Sequence, residues 1–151
     1  MNSVQNTKLV SVTPPAAIYD NTSPTTASID TQGWEYLQVF VYLGATDIAM
    51  TALKLQESDT DGSYADVTGL VYGTSAGING STSSLPSATD DNKFFVFEVD
   101  LRGRKRYFDL VATAGDGTAG TYLAAWAVLS RGSDFPVTAA ERGAANILRL
   151  P

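Results

Sequence analysis

Along most of the chain, apolar and polar positions alternate with a period of two, the repeat of a strand with one buried face. Residues 35 to 43, EYLQVFVYL, put Leu37, Val39, Val41 and Leu43 on one side and Tyr36, Phe40 and Tyr42 on the other. Residues 93 to 101, KFFVFEVDL, put Phe95, Phe97, Val99 and Leu101 on one face. Further strands are predicted at 8–13, 27–30, 52–57, 63–67, 106–114 and 121–130. Turn chemistry separates them: Pro14-Pro15, the run DNTSPTT at 20–26 and the glycines of 115–120. About eight strands with little helix predict an all-β protein, an antiparallel β-sandwich of jelly-roll type.

The strand at 35–43 departs from the pattern of a half-wet sheet, because both of its faces are largely apolar. Tyr36, Phe40 and Tyr42 therefore predict a covered outer face and are the candidate oligomer interface. Residues 73 to 92 are polar and rich in Gly and Ser, which predicts an exposed loop, mobile or ordered by a partner. The tail holds no strand pattern, but Thr138-Ala-Ala-Glu141 reads as a capping box for one helical turn that Gly143 would end. The chain is read as one domain over 1–151, with a core at about 7–130 and a C-terminal arm at 131–151. Residues 1–12 and 133–151 are the candidate neighbour-reaching arms.

Composition narrows the chemistry. The chain has 151 residues, a formal net charge of -6, no Cys and no His. Disulfides, thiolate chemistry and the Ser-His-Asp arrangement are thereby excluded, and no enzyme and no cofactor is expected. An acidic chain disfavours nucleic acid and anionic membrane surfaces as partners. Residues 1–15 carry one Lys and no apolar core of a signal peptide, and the run 122–129 is too short to span a bilayer.

Five features admit both a chemical and a scaffold role. In LQESDTDGSYADV, residues 55 to 67, Glu57, Asp59 and Asp61 occupy EF-hand positions 1, 3 and 5 if Gly62 is position 6, but position 12 is Thr68 rather than Glu. The flanking alternation favours a hairpin turned by Asp61-Gly62, leaving a weaker calcium site at Asp59, Asp61 and Asp66 as the other reading. GDGTAG at 115–120 matches a dinucleotide fingerprint, yet lacks the following helix and strand, so a turn is expected. RGRKR at 102–106 offers Arg102, Arg104, Lys105 and Arg106 as charged docking contacts, or as a solvated turn paired to nearby acids. Trp34, Tyr36, Tyr42, Tyr64 and Tyr72 would suit a sugar platform, and Glu98 with Asp100 a carboxylate pair.

The runs SIDTQGWEYLQVFVYLGATD, LKLQESDTDGSYADV and FFVFEVDLRGRKRYFDLVATAG resemble the head decoration, or cement, proteins of tailed bacteriophages over roughly residues 28 to 130. That resemblance implies a jelly-roll sandwich sitting as a homotrimer on the outer capsid surface, with the major capsid protein as partner. It places the protein in the virion, and in the host cytoplasm during assembly. The alternative is a carbohydrate-binding or host-adhesion module of a phage tail.

Overall fold

The computed structural model describes residues 5–134, 136 and 138–149. Among them run nine strands: β1 (Thr7–Thr13), β2 (Ile18–Tyr19), β3 (Ile29–Asp30), β4 (Trp34–Thr46), β5 (Ala52–Ser58), β6 (Ala65–Val71), β7 (Phe94–Asp100), β8 (Tyr107–Thr113) and β9 (Thr121–Gly132). All pairings are antiparallel. The first sheet has the order β1-β9-β4-β7, with β2 also on β9, and the second has the order β3-β8-β5-β6.

The pairs β1–β9, β3–β8, β4–β7 and β5–β6 are nested in sequence, as if one long hairpin had been wrapped into two sheets. That is the jelly-roll arrangement the strand count predicts. Period-two alternation sends one face of each sheet inward. Leu37, Val39, Val41 and Leu43 of β4 and Leu123, Ala125, Ala127 and Leu129 of β9 meet Leu53 and Leu55 of β5 and Phe108 and Leu110 of β8 in one core. Among the described residues, every buried side-chain polar atom has a hydrogen-bond partner.

Three sequence expectations are corrected. The strand expected at 63–67 is β6 at Ala65–Val71, where the ladder jumps from Gln56↔Asp66 to Lys54↔Val71 and residues 67–70 form a bulge whose Val67 stays in the core. The β5–β6 hairpin is turned by Asp61-Gly62, as expected: Ser63 N donates to Thr60 O at 3.3 Å across the pair, Gly62 takes φ 103°, and the ladder closes at Glu57↔Ala65. The 73–92 loop is pinned by its own chain. Met50 N donates to Pro86 O at 2.9 Å, Leu43 N to Lys93 O at 3.0 Å, and Leu85 packs on the core.

The third concerns the arms. Residues 7–12 lie in β1, and the tail folds back on that strand. Thr138 and Glu141 form the expected capping box, with Glu141 N–H donating to Thr138 Oγ1 at 3.2 Å and Thr138 N–H to Glu141 Oε2 at 2.9 Å. Gly143 closes the turn at φ 73°, where an added Cβ would lie 1.9 Å from Leu9 O. Arg142 O then accepts the outward amide of Leu9 at 2.9 Å. The edge of β1 is thus covered, as an edge strand needs. Residues 1–4, 135, 137, 150 and 151 of the two candidate arms lie outside the described residues.

Candidate functional site

Alternation carries the outer face of the first sheet as firmly as it carries the core. With Leu37, Val39 and Val41 inward, Tyr36, Phe40 and Tyr42 must point outward, as expected. The register then sets Phe40 beside Trp126 and Val96, and Tyr42 beside Phe94 and Ala124. Phe40 and Trp126 stack at 5.8 Å, Tyr42 and Phe94 lie 4.7 Å apart, and Phe94 meets Trp126 edge-on at 5.9 Å. Phe94 is 55 % exposed, Tyr122 49 % and Leu9 44 %. The result is an apolar strip across β1, β9, β4 and β7 in which Leu9, Phe94 and Tyr122 are exposed and Tyr36, Phe40, Tyr42 and Trp126 are half-buried.

Charged groups stand at one end of this strip. Arg131 lies over the Tyr36 ring at 5.4 Å, Gln38 donates to Glu98 at 3.0 Å, and Asp100 accepts Arg102 Nε at 2.9 Å. The Arg102 guanidinium holds the Asp100 carboxyl down at about 2. Glu98 and Asp100 are therefore each engaged by a neighbour of their own chain. The five aromatics considered as a sugar platform do not share a face. Tyr36 and Tyr42 lie on this one, whereas Tyr72 packs edge-on against the inward rings of Phe95 and Phe97. Phe94 and Trp126 were missing from the expected interface, since their place follows from cross-strand register rather than from either segment alone.

Tyr72 has a second role at the free edge of β7. Its hydroxyl donates to Val96 O at 2.9 Å and accepts from Val96 N at 3.1 Å, standing in for one residue of a neighbouring strand. Burial raises its pKa.

The basic turn at 102–106 joins β7 to β8, and its charges are largely balanced within the chain. Arg102 grips Asp100, Arg104 Nε donates to Glu57 Oε2 at 3.0 Å, and Arg106 Nε donates to Asp30 Oδ1 at 2.8 Å. The Arg106 hydrogen bond lowers the Asp30 pKa. Among the described residues, Lys105 makes no ion pair, and its side chain is exposed.

The acids of the 55–67 stretch do not converge. Glu57 faces Arg104, Asp66 binds Lys54 at 2.7 Å, and Asp61 accepts the Tyr64 hydroxyl at 2.5 Å and that of Ser28 at 3.2 Å. Among the described residues no three metal-ligating side chains cluster. In GDGTAG, the amides of Thr118 and Ala119 both donate to Asp47 Oδ2 at 2.5 Å, and Gly117 N donates to Asp20 Oδ1 at 2.9 Å. The donors that would cradle a phosphate already hold carboxylates of the chain itself, and those backbone bonds lower the Asp47 pKa. This loop is the expected strand-to-strand turn.

No protein-family model and no curated protein matches the chain. Among solved structures it is similar to the SPBc2 prophage-derived protein YomS, with a TM-score of 0.47 and 12 % identity, over 83 % of this chain and 94 % of that one. A likeness at that level carries no argument about function.

Proposed function

We propose that the protein is a structural component of a tailed-phage virion, a capsid decoration protein that binds the outer lattice of the major capsid protein and stabilises the head. The observation that carries this reading is the uncovered aromatic strip on a sandwich whose charges are mostly balanced internally. Four strands about 4.8 Å apart and seven residues at about 3.3 Å each span on the order of 400 Å². A stable interface buries about 800 Å² per partner. One such face is a weak contact, and weak contacts become firm when a repeating lattice presents many of them. A homotrimer supplies that multiplicity. The resemblance of the 28–130 segment to cement proteins points the same way. The basic turn docks through Lys105 and the exposed Arg102, Arg104 and Arg106, without catalysis, cofactor, nucleic acid or membrane.

The test is to add purified protein to expanded, undecorated heads and image them. Added density at regular lattice positions is expected; bare heads at saturating protein overturn the reading. A carbohydrate module would use the same strip, but its central rings pack on one another instead of standing free for a sugar. A glycan array is expected to be blank, and a specific glycan would replace the capsid reading.

A further inference from the structure

The two sheet orders end on four strands, β1, β7, β3 and β6. Three of these edges are blunted by the backbone itself. Arg142 O covers β1 by accepting the Leu9 amide at 2.9 Å. β3 is two residues long, and β6 is interrupted by its bulge, where Gly69 takes φ 95°. β7 has none of these defences. Its seven residues pair with β4 without a register shift, from Tyr36↔Asp100 to Tyr42↔Phe94. Its sequence, FFVFEVD, runs through four strand-favouring residues before the first charge. A long, unbroken apolar edge of this kind templates pairing with another chain.

The ladder with β4 decides which backbone groups of β7 face outward. Leu43 N donates to Lys93 O at 3.0 Å and Leu101 N to Glu35 O at 2.9 Å, so the odd-numbered residues bond to β4. The alternate residues of an antiparallel strand turn their N–H and C=O the other way. The outward row therefore belongs to Phe94, Val96, Glu98 and Asp100. Tyr72 closes the second of these, its hydroxyl donating to Val96 O at 2.9 Å and accepting from Val96 N at 3.1 Å. That leaves one outward residue on one side and two on the other, too short a row for a ladder to grow from either side.

The hydroxyl is held there by the second sheet. Tyr72 N donates to Leu53 O of β5 at 3.0 Å, and the ring meets Phe95 and Phe97 edge-on at 5.4 and 5.1 Å. Gly73 follows at φ 93°, where an added Cβ would lie 3.3 Å from Leu85 Cγ. Packing is done by the ring and the backbone, which leaves the hydroxyl to the edge alone.

We propose that the Tyr72 hydroxyl is an edge guard, which keeps β7 from pairing with β7 of a second copy. Antiparallel pairing about Phe97 would set Val96 opposite Glu98 and Phe94 opposite Asp100. No two acids would then lie directly opposite, so charge does not forbid the pairing. The occupied Val96 does. This guard is independent of whether the protein decorates a capsid.

The experiment is amide hydrogen exchange and sedimentation velocity on the full chain, for wild type and for Tyr72→Phe, which keeps the ring and removes the hydroxyl. In wild type the Val96 amide is expected to exchange about tenfold more slowly than the Glu98 amide two residues along the same edge. In Tyr72→Phe that difference is expected to vanish, while the amides of Phe95 and Phe97, which bond to β4, stay protected. Over a concentration series Tyr72→Phe is expected to associate beyond wild type, and the Glu98 and Asp100 amides to gain protection in the associated species. Tyr42→Phe, which loses a hydroxyl from the outer face of the same sheet, is expected to sediment like wild type. Equal exchange at Val96 and Glu98 in wild type overturns the proposal, and that comparison holds even if Tyr72→Phe melts early. Tyr72→Phe sedimenting like wild type overturns it too, as does association without added protection at Glu98 and Asp100.

Discussion

The two sheets share one core yet turn opposite faces to the solvent. The outer face of the first sheet is a strip of mutually packed aromatics. The outer face of the second is a polar mesh: Lys54 and Gln56 both bind Asp66, at 2.7 and 2.6 Å, and Thr26 donates to Asp109 at 2.6 Å. A sandwich needs only its inner faces apolar, and the second sheet meets that rule. The extra apolar surface of the first sheet is not required by the fold. Solvated aromatics are a solubility burden, which is why the proposed partner contact is placed on this face.

The contrast can be broken from the inside out. Phe108→Ala empties the core that both faces share and is expected to cost about 3–5 kcal/mol in urea unfolding. Trp126→Ser removes the stack with Phe40 and the edge contact with Phe94, and is expected to cost about 1–2 kcal/mol while weakening self-association. Lys54→Ala removes an exposed pair from the polar face and is expected to cost about 0.5 kcal/mol or less, with association unchanged. A larger loss for Lys54→Ala than for Trp126→Ser would reverse the assignment of the two faces.

Acid is expected to have a small effect that does not discriminate between the faces. Asp100 is held at about 2 by Arg102 beside the aromatic strip, and Asp90 at about 2 by Lys93 in the β6–β7 loop. Lys54 likewise lowers Asp66 on the polar face. A carboxyl depressed in the folded state stabilises above its unfolded pKa and loses that contribution as pH falls through the folded value. Melting temperature should therefore decline between about pH 4 and about pH 2. Neutralising Asp100 and Asp90 to Asn should flatten that decline; an unchanged slope would show that these pairs do not set it.

What was legible in the sequence is what alternation encodes. β4, β7, β8 and β9 are legible because each holds four or more consecutive in–out alternations. β2 was missed because two residues, Ile18 and Tyr19, pairing with Tyr122 and Thr121, leave no period to detect. The 73–92 loop was misread because serine and threonine hydroxyls bonding to nearby backbone have no periodic signature. The capping box was visible because its two partners lie three residues apart. The partners of Arg104 and Arg106, Glu57 and Asp30, lie on other strands and are brought close only by the wrapped hairpin.

The docking of Arg142 and Gly143 onto β1 bears on how the chain is made. β1 pairs with β9, which begins at Thr121, and its other edge bonds to Arg142. Of the described strands, β1 is the earliest in the chain and is thus among the last to find both its neighbours. Contacts that span most of the chain are slow to form, because the intervening loop must close first. Until then, an unpaired strand with an exposed Leu9 waits during synthesis. A chain interrupted before residue 142 would present that edge unguarded, a ready template for other strands.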